Sequence, residues 1–403
     1  MHHDSHYLSV PSIVSLDQIL PEEPLLMMGA GPVPIPSRVA AANSIVINHL
    51  GETMSRVIEQ VQSMCRYVFQ TQSRHIMGIA GPGSAAMEMA ICNLVWPGRR
   101  ILSICNGYFS LRFAEMASRV GGIVTILDVD EANAADPEVV RRYLSTSQFD
   151  VITIVQGETS NTTWNSSLQE IAKIGREHGA LVIVDAVCTL STLPLQMDGW
   201  GIDCVITGGQ KGLSCIPGVS LIAFSDRAWI DIECKPIKTH QWCLDALLAD
   251  QFWNKKSYHY TAPVSGILAL HEALRLVINE TLQARFERHM LCSTSLQHSL
   301  EVMGLKLFVE KPARLNSVVG VCIPDKLDGG NIRLLMSQRH RVEIAGSFGL
   351  NIIRIGQMGE QCRPHNLFRT LHALGTSIQE LGGAIDLPSG MAELERGLNS
   401  FPC

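Results

Sequence analysis

A chain of 403 residues with 46% hydrophobic content has enough apolar surface for a large core and two domains. Its formal charge of −6 offers no attraction to nucleic acid or to an anionic membrane, and no apolar run is long enough to span a bilayer. The twelve cysteines are scattered without a Cys-x-x-Cys pair and the fourteen histidines show no metal-ligand spacing, so a reduced, cytoplasmic, metal-free protein is expected.

Residues 1–24 are polar and proline-punctuated and predict an arm without the basic and apolar regions of a signal peptide. The chain ends in Phe401-Pro402-Cys403, which is not a peroxisomal address. Gly29-Ala30-Gly31-Pro32-Val33-Pro34 predicts extended backbone, suited either to pointing N–H groups at a ligand or to joining two domains. Val57, Ile58, Val61, Met64, Cys65 and Val68 share one face of a helix over 55–69. Gly81-Pro82-Gly83-Ser84-Ala85 is a glycine turn entering an Ala- and Met-rich helix, whose first-turn N–H groups can bind an anion. A strand over 100–105 leads to Tyr108 and Phe109, either of which can stack on a flat ring or fill core. Residues 111–150 have the helix, strand (Ile123 to Leu127), helix rhythm of βα units.

Val151 to Val155 runs into Gln156-Gly157-Glu158-Thr159-Ser160-Asn161-Thr162. Leu181-Val182-Ile183-Val184-Asp185 describes a fully buried parallel strand with a carboxylate at its carboxyl end, where open α/β sheets bind ligands. Asp185 also fits a loop-bonding role. After another β-like run, Gly208-Gly209-Gln210-Lys211-Gly212-Leu213 sets a lysine between glycine turns. Such a lysine is either a solvated loop residue or, if buried, a neutral amine ready to form a Schiff base. Residues 230–253 read as irregular, and 266–279 as a helix running to a junction near 282–289. Beyond it, helix 286–303, strands 305–309 and 318–323, helix 330–338, a strand pair and a last helix after 375 predict a smaller α+β domain. Arg354 interrupts one apolar strand of that domain, which suits either capture of a carboxylate or a structural salt bridge.

The run from Ile202 to Ile222, with Gly-Gly-Gln-Lys followed by Gly-Val-Ser, resembles the lysine signature of the class V aminotransferases, in the alanine/serine–glyoxylate branch, over about residues 24–375. The resemblance implies an α/β protein of fold type I. A large domain (25–283) with a mostly parallel seven-stranded sheet would follow the arm (1–24) and precede a small domain (284–403). It implies pyridoxal 5′-phosphate as cofactor, with Lys211 holding the aldehyde and Asp185 the ring nitrogen. It further implies that Gly83, Ser84, Ala85 and Gln210 bind the phosphate, that Phe109 lies on the ring, and that Ser160, with Thr159 as the alternative, meets the phenolic side. Gly31 and Arg354 would face the substrate carboxylate. Tyr258 and Thr261 would reach the phosphate of a neighbouring subunit, making a homodimer with shared sites. The expected activity is transfer of an amino group from alanine or serine to glyoxylate or a similar oxo acid. Ureidoglycine–glyoxylate and pyridoxamine–pyruvate transamination are alternatives within the family. The loop at 156–162 departs from the family pattern, with Gln156 in place of His, and the 349–354 connection is short. A lyase or desulfurase on this fold would need a reactive cysteine near Arg354, for which Cys362 is the candidate.

Overall fold

A computed structural model describes residue 8 and residues 10–400. The expectations for the extreme termini fall outside that range. Seven strands form the central sheet: β1 (Ile76–Gly81), β2 (Arg100–Cys105), β3 (Ile123–Asp128), β4 (Val151–Val155), β5 (Leu181–Asp185), β6 (Cys204–Gly208) and β7 (Gly218–Phe224). Their order is β1-β7-β6-β5-β4-β2-β3, and β7 alone runs against its neighbours. Every residue of β4, β5 and β6 is buried. Both faces of these strands are therefore covered, which is why they are mostly apolar without a polar alternation. Their parallel direction brings their carboxyl ends to one edge.

The helices needed to place the site are α1 (Glu52–Phe69), α2 (Gly83–Leu94), α3 (Tyr108–Arg119), α4 (Val264–Glu280) and α5 (Leu282–Val302). The periodic pattern of 266–279 does not run on into the next segment. Thr281, at φ +69°, breaks the helix, and its hydroxyl accepts the Ala284 N–H to start α5. The stretch 230–253 is not irregular as expected. It contains helices Asp226–Glu233 and Ala246–Trp253, each started by a side-chain cap, from Ser225 and Asp245 respectively.

A second sheet has the order β8 (Val318–Cys322), β10 (Ile352–Gly356), β9 (Ala345–Gly346), all antiparallel, with helices Gly329–His340, Pro364–Glu380 and Leu387–Asn399 around it. The strand expected over 305–309 reduces to a single bridge between Leu307 and Val321. Instead of one last helix after 375 there are two, the first begun by Pro364 well before that point. The central sheet and its helices share one apolar core, and the second sheet has its own, including Leu296, Leu300, Ile353 and Leu374. A small third cluster of Ala30, Val33, Cys188, Leu193, Leu315, Val318 and Met358 joins residues from both halves beneath the site. The N-terminal segment is tied to the second half through Leu26–Met27, which pairs in parallel with Val342–Glu343.

Candidate active site

Lys211 sits in the turn between β6 and β7, where its N–H reaches Gly208 O (3.3 Å), and Ser214 N–H reaches Lys211 O (2.9 Å). Its side chain runs back against Gly31, and Nζ donates to the carbonyl of Ala30. A Cβ on residue 31 would lie 2.6 Å from Lys211 Cδ and 2.7 Å from Nζ, and φ there is +95°. Glycine is required at 31 both for backbone conformation and for space. Burial holds the Lys211 amine below its ordinary pKa, and Arg354 pushes the same way against the pull of Cys188 and Asp185.

Asp185 ends the neighbouring strand β5 and is 4% exposed. Burial raises its carboxyl to about 7, although Oδ1 accepts the Val187 N–H at 2.7 Å, which opposes the rise. Lys211 and Asp185 line one cavity of about 170 Å³, together with Gly83, Ser84, Phe109, Thr159, Val187 and Gln210. Gly83 and Ser84 open α2, whose first-turn N–H groups have no intrahelical acceptor. Ala85, expected beside them, is not among the lining residues, and its N–H is used on Pro82 O (2.8 Å). The Gln210 amide oxygen is buried without a hydrogen-bond partner among the described residues.

Glu158, for which no role was expected, organises one wall. This fully buried carboxylate accepts the N–H groups of Phe109 (3.1 Å) and Ser110 (2.9 Å) and the hydroxyl of Ser160 (2.6 Å). The N-terminus of α3 is thereby fixed, and Phe109 with it. Gly107 gives the available signal: a Cβ there would come within 2.4 Å of Glu158 Cγ. Because Ser160 is engaged with Glu158 and also accepts the Tyr108 N–H (3.0 Å), it is Thr159 that lines the cavity. Arg112 is a second residue that sequence reasoning missed. One turn along α3, it donates to Ser84 Oγ (2.8 Å) and lies over the rings of Tyr108 and Phe109.

Arg354 is 6% exposed at the middle of β10. Nε donates to Gly346 O (2.6 Å) and Nη1 to Thr159 O, while Nη2 has no hydrogen-bond partner among the described residues. Nor does any described carboxylate lie within salt-bridge range, so the structural ion pair left open by the sequence is not formed. Burial lowers the guanidinium pKa to about 10 against the pull of Glu158. A buried cation with one free donor edge is suited to an anion from outside.

Other expected residues lie elsewhere. Tyr258, 57% exposed, and Thr261, also exposed, do not line this cavity. Gln156 turns away, donating to Pro194 O (3.0 Å). Cys362 is fully buried with its thiol toward Arg288 O, and burial pushes its pKa far up. Such a buried thiol, held in its protonated form, is a poor nucleophile, which removes the support for a desulfurase. A larger, mostly apolar cavity of about 530 Å³, lined by Phe286, Met290 and Glu393 among others, contains neither Lys211 nor Asp185.

Residues 37–351 match the model of the family described as aminotransferase class-V. Alanine–glyoxylate aminotransferase of Oryctolagus cuniculus is 32% identical over 88% of this chain and 92% of its own. The crystal structure of a Nostoc alanine–glyoxylate aminotransferase is 33% identical, with a TM-score of 0.86 over 91% of this chain and all of that one. The crystal structure of ureidoglycine–glyoxylate aminotransferase from Bacillus subtilis is 29% identical, with a TM-score of 0.91 over 94% of this chain and 99% of that one.

Proposed function

The chain belongs to the class V aminotransferases, and from that premise we propose that it moves an amino group from alanine or serine to glyoxylate, using pyridoxal 5′-phosphate held by Lys211 and Asp185. The observation that carries this reading is an amine and a carboxylate, from the ends of adjacent strands, lining one buried cavity. The cavity also suits the cofactor's remaining parts. Gly83 and Ser84 offer free N–H groups to a phosphate, and the unpartnered Gln210 amide can rotate to offer its nitrogen. Phe109 supplies a flat face, and Thr159 a hydroxyl.

When bound, pyridoxal phosphate supplies an aldehyde that takes up the amino group and a ring that withdraws electrons from the substrate Cα. Lys211, whose amine burial holds below its ordinary pKa, would be the residue to hold the aldehyde carbon and, when free, could carry a proton at the substrate Cα. Asp185 would face the pyridine nitrogen, where its carboxyl would support a proton on the ring. Arg354 takes the carboxylate of amino acid and oxo acid alike through its open edge, and Gly31 leaves space for Lys211 beside it.

Tyr258 and Thr261 serve the phosphate site of a second copy, so the working unit is a homodimer. Support comes from their exposure in a single chain, beside the exposed Trp242, whose ring packs against His259. We place an arm (1–24), a large domain (25–283) and a small domain (284–403) along the chain; the existence of two separate cores supports two domains, although Leu26 and Met28 pack with the second core. A reducing, cytoplasmic setting accords with the free thiols of the described cysteines. No helix among the described residues is long and apolar enough to cross a membrane. Ureidoglycine is the second candidate donor, favoured by the closer superposition of the Bacillus enzyme.

A panel of donors mixed with purified holoenzyme tests the reading through the absorbance change from the aldehyde to the amine form of the cofactor. Conversion by alanine or serine supports the first donor class, conversion by ureidoglycine alone supports the second, and conversion by no amino donor overturns transamination.

A further inference from the structure

The turn between β9 and β10 carries Phe348, a large aromatic ring that is 54% exposed. Residues on either side fix where this ring lies. Arg354 Nε holds the carbonyl of Gly346, and the Ser347 hydroxyl donates to Ser160 O (2.5 Å). Gly349 follows at φ +82° with open space around it and turns the chain back toward β10. So anchored, the Phe348 ring stacks on Tyr108, with centroids 4.6 Å apart and planes 16° from parallel. It also stands edge-on to Phe109 at 6.3 Å, and the Arg354 guanidinium carbon lies 5.4 Å from its centroid. Phe109 lines the cavity and Arg354 is the anion-binding candidate, and the Phe348–Tyr108 pair, though not itself in the lining, packs against Phe109 and lies beside Arg354.

We propose that Phe348 and Tyr108 form an aromatic gate that sets the size limit for the amino donor's side chain, admitting one or two heavy atoms beyond Cα and rejecting larger groups. This rests on the transamination reading of the same site. A substrate whose carboxylate is held by Arg354 has its remaining substituents beside these two rings. A short side chain leaves the stack closed over the cavity, whereas a leucine- or phenylalanine-sized one must part it. Parting the pair exposes two apolar faces to water and loosens the turn that carries the Gly346 carbonyl, the acceptor of Arg354. The penalty therefore falls on the bulky donor, through the same residue that binds every donor.

The test is the ratio of kcat/KM for leucine to that for alanine, measured by the cofactor absorbance change, in wild type, Phe348→Ala and Tyr108→Ala. Phe348→Ala should raise the ratio by about tenfold or more, the size of effect that one to two methylenes have in a fitted pocket. Tyr108→Ala should act in the same direction, while Phe348→Tyr, which restores the stack, should keep the wild-type ratio. Equal losses for both donors in Phe348→Ala and in Tyr108→Ala, with the ratio unchanged, would overturn the gate while leaving transamination intact. Failure of the wild-type enzyme to transaminate any donor would overturn the parent reading and the gate with it.

Discussion

Asp185 is a carboxyl whose pKa is raised to about 7 by burial, and the sign of that shift makes a test. Because the folded state holds its proton more tightly than the unfolded chain does, stability is greatest below the unfolded carboxyl range, near 4, and falls as pH rises through 7. Cofactor-free Asp185→Asn should therefore be more stable than cofactor-free wild type at pH 8, by on the order of 2–4 kcal/mol, with the gap closing toward pH 4. The same variant should lose transaminase activity at every pH, because an amide cannot hold the ring proton. Thermal unfolding across that pH range checks the first statement, and a gap that widens on acidification would contradict it. Arg354 gives a second test at this scale. Arg354→Lys keeps the charge but lacks the planar fork, and should lower kcat/KM for amino and oxo acids alike by about 10–100-fold, mainly through KM. Of these residues, Lys211, Asp185 and Arg354 could be read from the sequence because each breaks an apolar run or follows a glycine turn. Glu158 and Arg112 could not, since their roles come from side chains that meet across segments 28 to 49 residues apart.

Among the elements, α5 connects the lysine turn to the second half of the chain. Arg285 donates to the Gly212 carbonyl, next to Lys211, and to Ser191 Oγ (3.2 Å), while Arg288 reaches Gly359 O (2.9 Å) and Cys362 O (2.6 Å). Both arginines pair with Glu280 at the end of α4. His289, fully buried, presents Nε2 to the Gly359 N–H (3.0 Å), and burial first, then the two arginines, keep it neutral. Burial alone would raise the Glu280 carboxyl, but hydrogen bonds and charge from Arg288 and Arg285 outweigh it and bring it down to about 2. This contribution is present above the ordinary glutamate range and is lost as pH falls through about 2. Glu280→Gln leaves two arginines sharing a neutral partner and should cost about 3–5 kcal/mol, seen as a drop in the urea midpoint at pH 7. An unchanged midpoint would mean the network adds nothing to the junction. The break between α4 and α5 was hidden from periodicity, because Thr281 caps the second helix without interrupting the apolar pattern. Likewise, the caps Ser225 and Asp245 start helices in or just before a stretch that, with Trp242 and Trp253, looked irregular.

For the whole molecule, the central sheet was legible because its parallel strands are buried on both faces, so short and mostly aliphatic runs such as Leu181-Val182-Ile183-Val184 identify them. The smaller half was harder to read. Its strands are short and one expected strand collapses to a bridge, since periodicity says little over two to five residues. The homodimer proposal belongs at this scale. Lys211→Ala and the double variant Tyr258→Phe/Thr261→Ala should each be inactive, yet regain up to about a quarter of wild-type activity when mixed and refolded, as random pairing of shared sites requires. No recovery would contradict shared sites.

The central claim is that Lys211 holds the cofactor in the cavity it shares with Asp185. Borohydride reduction of the holoenzyme, followed by digestion and mass spectrometry, fixes the cofactor to whichever residue carries it. A pyridoxyl group on Lys211 is the expected result, and the same label on another lysine, or on none, would contradict the claim.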